Sequence, residues 1–164
     1  MTTPDHRPTD PDQLLIQVHA GRRDLERALD GISDEELMLP GMTGAWSGKD
    51  TLVHIARWDE FVANVVRHDR RDGTLYAGGY EVVIETYLEQ NEIWAEEDRD
   101  VPLIEVRDRF AGAHAEVLTA LDELPASEWD GEVVAWVNAL IEHYPEHTPL
   151  ILEWRARRVE AADP

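Results

Sequence analysis

The stretch WSGKDTLVH, residues 46–54, decides the fold, because it marks where the second of four long helices begins. Ser47 is a good helix cap, and Asp50 stands three residues later, the spacing of a capping box. Behind this start the apolar residues follow a helical period. An α-helix turns about 100° per residue, so with His54 at zero Trp58 falls at about 40°, Phe61 at about −20° and Val65 at about 20°. His54 therefore sits within an apolar stripe. The helix is expected to run to about Arg71, where Asp72-Gly73 breaks it.

The same periodicity marks three more long helices. The first is predicted from Pro11 to Leu29, with Asp10 as cap, Pro11 in the first turn and Gly31 as stop signal. Its apolar face carries Leu14, Leu15, Val18, Leu25, Ala28 and Leu29. The third is predicted over 103–123, ending near Pro125. The fourth spans about 131–158, with Pro145 and Pro149 expected to kink it. Strand signals are weak. Between the second and third helices lie residues 72–101, opening with Gly73, Gly78 and Gly79 and holding a further helix, EVVIETYLEQNEIWAEE. That length allows a crossover and hence a parallel pair of helices 2 and 3 in a four-helix bundle. Residues 1–10, polar and proline-rich, read as a loose tail, and 11–160 as a single domain.

Composition narrows the function. The 164-residue chain has a net charge of −20, with one lysine and fourteen arginines. Nucleic acid and anionic membrane surfaces are poor partners for it. No apolar run is long enough to span a membrane, and no basic-then-apolar leader is seen, so a cytoplasmic protein is expected. There is no cysteine. Thiolate metal sites and a cysteine nucleophile are excluded, and any thiol chemistry needs a thiol from a small-molecule cofactor.

The fourth helix repeats the pattern of an inward histidine. With His143 at zero, His147 falls at about 40°, Trp136 and Trp154 near about 20° and Leu140 near about 60°. Inward imidazoles in a dry core need partners. A hydrogen-bonded core residue is the ordinary role of one such histidine, and His114, on the apolar face of helix 3, fits that role equally. Three together, His54, His143 and His147, fit a three-ligand metal site with open positions, the catalytic type. Three imidazoles suit Zn, Ni, Cu or Fe. His6, His19 and His68 are poorly placed to join them.

Asp50 is either a cap or an outer partner of His54, and Glu146 is a better outer partner of the triad than Glu142. Trp58, Trp94 and Trp136, with Asn91, are expected to border a cofactor or substrate pocket, as are Trp46 and Trp154, although packing is the ordinary role of each tryptophan. Arg57 suits an anionic cofactor or a surface ion pair, and EEDRD, residues 96–100, a solvated helix end.

Trp46 to Asp50, with Leu52, His54, Ile55 and Trp58, resembles the start of the second helix of the DinB-like superfamily. His143-Tyr144-Pro145-Glu146-His147 resembles the paired histidines of that superfamily's fourth helix. Residues 91–129 are similar to its ClbS and DfsB branch. The resemblance implies an up-down-down-up four-helix bundle and a metal triad of His54, His143 and His147 holding zinc or nickel. It also implies thiol S-transfer to, or hydrolysis of, a small electrophile, with mycothiol or bacillithiol as the thiol. The ClbS-like branch implies an alternative, a metal-independent protective hydrolase. A third reading is a bundle that binds a small ligand without turnover. A homodimer is compatible with all three.

Overall fold

The computed structural model describes residues 9–67 and 79–162, and among these the chain is all-helical. Helix α1 spans Pro11–Leu29, α2 Asp34–Leu37, α3 Gly48–Val66, α4 Gly79–Glu97, α5 Leu103–Asp122 and α6 Gly131–Ala162. A single 3-10 turn, Ala126–Glu128, joins α5 to α6. None of these helices is long and apolar enough to cross a membrane. The tail up to residue 8, His68, the break at Asp72-Gly73 and Gly78 lie outside the described residues.

The start signals act as read. Asp10 accepts from Gln13 N at 3.1 Å, with Pro11 next to it. At α3, Ser47 Oγ accepts from Asp50 N at 3.1 Å while Asp50 Oδ2 accepts from Ser47 N at 2.9 Å, so Asp50 is a cap. Gly31, at φ 76°, follows α1 in the left-handed region that glycine tolerates.

Three boundaries differ from the sequence reading. The second long helix ends at Val66, with Arg67 as its C-cap, rather than near Arg71. The link between α1 and α3 contains α2, a one-turn helix closed by a Ser33–Glu36 capping box. Its four residues are too few for periodicity to register. The last helix, which holds Pro145 and Pro149 as expected, runs on to Ala162 rather than ending near 158.

α3 is the central element. It touches α2, α4, α5 and α6, and packs most extensively on α5, while α1 packs chiefly on α6. Fourteen of its residues are buried, including His54 and Asp59. Its first turn fits closely against α2, where a Cβ on Gly48 would stand 2.5 Å from Leu37 Cδ2. Glycine in WSGKD is thus a packing requirement. The acidic end of α4 is held down firmly: Asp98, 4% exposed, accepts from Arg57 Nε at 2.6 Å and Arg109 Nη1 at 3.1 Å. EEDRD is therefore not simply a solvated end. Burial opposes the charge of Asp98, but the two guanidiniums outweigh it and hold the carboxyl below its usual range.

Candidate metal centre

α3 and α6 bring the three histidines to one point. His54 Nε2 lies 2.8 Å from His143 Nε2, which lies 3.1 Å from His147 Nε2. The candidate ligand atoms all fall within 4.8 Å of one another. His54 and His147 are 8% and 9% exposed. Trp46 covers the His54 ring at 4.8 Å between centroids.

Burial keeps these rings neutral. It pulls His54 down to about 3, helped by His147 and opposed by a hydrogen bond to Asn91. It pulls His147 down to about 4. His143 is pushed well below 6.5 by burial and then by its two neighbours. Neutral imidazole is the ligand form of histidine.

The hydrogen-bond arithmetic shows what the cluster is built to hold. A neutral imidazole has one donor and one acceptor nitrogen. His143 Nε2 faces two other Nε2 atoms but carries either one proton or one lone pair, so it cannot satisfy both. The Nδ1 atoms of His143 and His147 are buried without a hydrogen-bond partner. A cation would accept all three lone pairs at once. Ligands about 2.0–2.1 Å from one ion sit about 3 Å apart, close to the spacing here. The donor set thus fits a divalent ion such as zinc or nickel.

A cavity of about 530 Å³ opens beside the triad, lined by Trp46, Trp58, Val62, Tyr87, Asn91, Trp136, Ala139, Leu140, Glu142 and Glu146 with the three histidines. Its size is that of a small-molecule site. Trp58 Nε1 donates to Asn91 Oδ1 at 2.9 Å, so one side chain from α4 links the pocket wall to His54.

Of the predicted pocket residues, Trp58, Asn91, Trp136 and Trp46 line this cavity. Trp94 does not; it is buried behind Trp58, with ring centroids 5.0 Å apart. Trp154 is buried away from it, under Arg158. Arg57 pairs with Asp98 and Glu97. Glu142 and Glu146 are exposed at the cavity's edge.

Sequence reasoning missed the lining role of Tyr87 and a second buried polar cluster. Arg22 and Asp59 are 2% and 0% exposed. Arg22 donates to Asp59 Oδ2 at 3.1 Å, to Phe110 O at 2.9 Å and to Glu26 Oε1 at 2.9 Å. Tyr144 donates to Asp59 Oδ1 at 2.9 Å, and His114 Nδ1 stands 3.1 Å from the Tyr144 hydroxyl. His114 thus belongs to this cluster. The signal was present: Arg22 continues the four-residue step of Leu14 and Val18, on the apolar stripe of α1.

The family model of the mycothiol maleylpyruvate isomerase N-terminal domain matches residues 5–143. The match takes in His54 and His143 and ends before His147. No curated protein and no solved structure matches the chain.

Proposed function

Because this chain belongs to the mycothiol maleylpyruvate isomerase N-terminal domain family, within the DinB-like superfamily, we propose that it is a metal-dependent enzyme acting on a small electrophile by thiol S-transfer or hydrolysis. The observation that carries this reading is the convergence of three buried, neutral Nε2 atoms, at 2.8 and 3.1 Å, on the wall of a cavity.

In this reading His54, His143 and His147 hold a divalent ion, nickel or zinc, and Trp58, Asn91 and Trp136 contact the bound molecule, with Trp94 supporting Trp58. An ion held there lowers the pKa of a bound thiol or water and so makes a nucleophile available near neutral pH. Asn91 orients His54. Trp58 and Trp136 exclude water and seat the apolar part of the substrate. The absence of cysteine leaves the thiol to a low-molecular-weight cofactor of the mycothiol or bacillithiol type. We place α1, α3, α5 and α6 in the superfamily's up-down-down-up bundle, with α4 in the crossover, and the protein in the cytoplasm.

Elemental analysis of untagged protein, beside His54→Ala and His147→Ala, tests the reading. Near-stoichiometric metal in the wild type, lost in both variants while helicity is kept, supports it. Protein that takes up neither zinc nor nickel overturns it, and electrophile turnover that survives chelation selects the metal-independent hydrolase of the ClbS-like branch.

A further inference from the structure

The stretch of α6 that carries His143 and His147 also carries Pro145 and Pro149. Neither proline can donate a backbone N–H, so the carbonyls of Ile141 and Pro145 lose the usual helical donor four residues on. The helix's own hydrogen bonds therefore hold this stretch less firmly, and outside anchors matter more.

Tyr144 supplies them. It is fully buried and reaches α1, α3 and α5. Its ring lies against α1, where a Cβ on Gly21 would stand 3.3 Å from Tyr144 Cδ2. Its hydroxyl donates to Asp59 Oδ1 on α3 at 2.9 Å and stands 3.1 Å from His114 Nδ1 on α5. Asp59 follows His54 by five residues, about 7.5 Å along α3. It is itself fixed, because Arg22 donates to its other oxygen at 3.1 Å and to the Phe110 carbonyl at 2.9 Å.

We propose that the Tyr144 hydroxyl is a positioning group for the histidine triad. Its bond to Asp59 sets the register of α6 on α3, and so the distance of His143 and His147 from His54. The inference rests on the functional reading above for the triad's being a metal centre. Apolar side chains of similar size would fill the same core without the cost of burying an ion pair and a hydroxyl, but such contacts tolerate repacking. A hydrogen bond is directional and weakens steeply when misaligned. A metal centre needs that precision, since three nitrogens must meet one ion at about 2.0–2.1 Å. A slip of about 1 Å between α3 and α6 loosens the site.

Tyr144→Phe tests this, because it keeps the ring against Gly21 and removes only the hydroxyl. Val133→Ala truncates a buried side chain ten residues before His143, about 15 Å along α6, and serves as the comparison for a general loss of stability. Zinc affinity is read by competition with a chromogenic chelator, and ligand geometry by the visible bands of the cobalt(II) form. In metal-free protein, NMR reads the NOE between the Hε1 protons of His54 and His143, whose ring centroids lie 4.9 Å apart. Tyr144→Phe is expected to bind zinc about tenfold or more weakly, to shift the cobalt bands and to lose the NOE. Val133→Ala should keep all three.

Zinc affinity in Tyr144→Phe within about threefold of the wild type overturns the inference. An equal loss in Val133→Ala overturns it too, since the effect is then one of stability. If the wild type takes up no metal, the metalloenzyme reading falls alone and the NOE decides. Kept in Tyr144→Phe, it overturns the positioning role; lost there and kept in Val133→Ala, it supports it.

Discussion

Two polar clusters share one core, five residues apart along α3, and they are built in opposite ways. Around Asp59 every strong group has a counterpart. Arg22 spreads its donors over Asp59, Glu26 and the Phe110 carbonyl, and lies 3.5 Å over the Phe110 ring. Around His54 the groups do not match, since three Nε2 atoms crowd together and two Nδ1 atoms have no partner. The first cluster is complete as it stands and joins α1, α3, α5 and α6. The second becomes complete only when something is added. Buried polarity by itself therefore does not mark a functional site, whereas buried polarity left unsatisfied beside a cavity is the ground on which one is proposed.

The comparison predicts a graded set of stability changes. Removing Asp59 should have the largest effect, because it strands the Arg22 guanidinium in the core. Asp59→Ala is expected to destabilise by about 3–5 kcal/mol in urea unfolding. Tyr144→Phe removes one donor to Asp59 and one partner of His114, and should destabilise by about 1–3 kcal/mol in the same measurement. A Tyr144→Phe protein as stable as the wild type would break the claim that this cluster is structural.

The triad should respond to pH. The folded chain holds His54 at about 3 and His147 at about 4, against 6.5 without burial. Below pH 6.5 the unfolded chain takes up protons that the folded chain refuses until about 4, so stability falls across that window. Above 6.5 this contribution is constant. Asp59 works the other way. Burial raises it from 3.8 to about 7 against the pull of Arg22 and Tyr144. Its charge therefore weighs on the fold above pH 7, and the strain eases as the pH falls from there. Urea midpoints from pH 8 to 4, compared between the wild type and His143→Leu, separate the two. The variant's decline below 6.5 should be shallower.

The smallest change in stability is expected at the site of largest functional effect. In metal-free protein His143→Leu removes a nitrogen without a partner, so unfolding should shift by less than about 1 kcal/mol, in either direction. Metal binding in the same variant should be lost. Asn91→Ala should weaken metal affinity by about tenfold, read by competition with a chromogenic chelator, through loss of its hold on His54.

Much of this was legible in the chain. Periodicity in α3 and α6 located both histidine-bearing faces, and the Ser47–Asp50 spacing set the start of α3 to the residue. What could not be read was local or many-sided. α2 is too short for a period, Asp59 lies on a helix buried almost all round, and Asp98 is drawn in by Arg57 and Arg109 from two other helices. Trp94 shows the limit of reading by residue type, because its ring backs Trp58 and does not reach the cavity.

The chain's single lysine has a practical consequence. Lys49, 7% exposed, donates from Nζ to the Arg99 carbonyl at 2.6 Å, fastening the start of α3 to the turn after α4. No other side-chain amine competes for an acylating reagent. The rate at which Lys49 is acylated in the native protein thus serves as a chemical clock for the parting of α3 from that turn. It reports on that one joint without any engineered label.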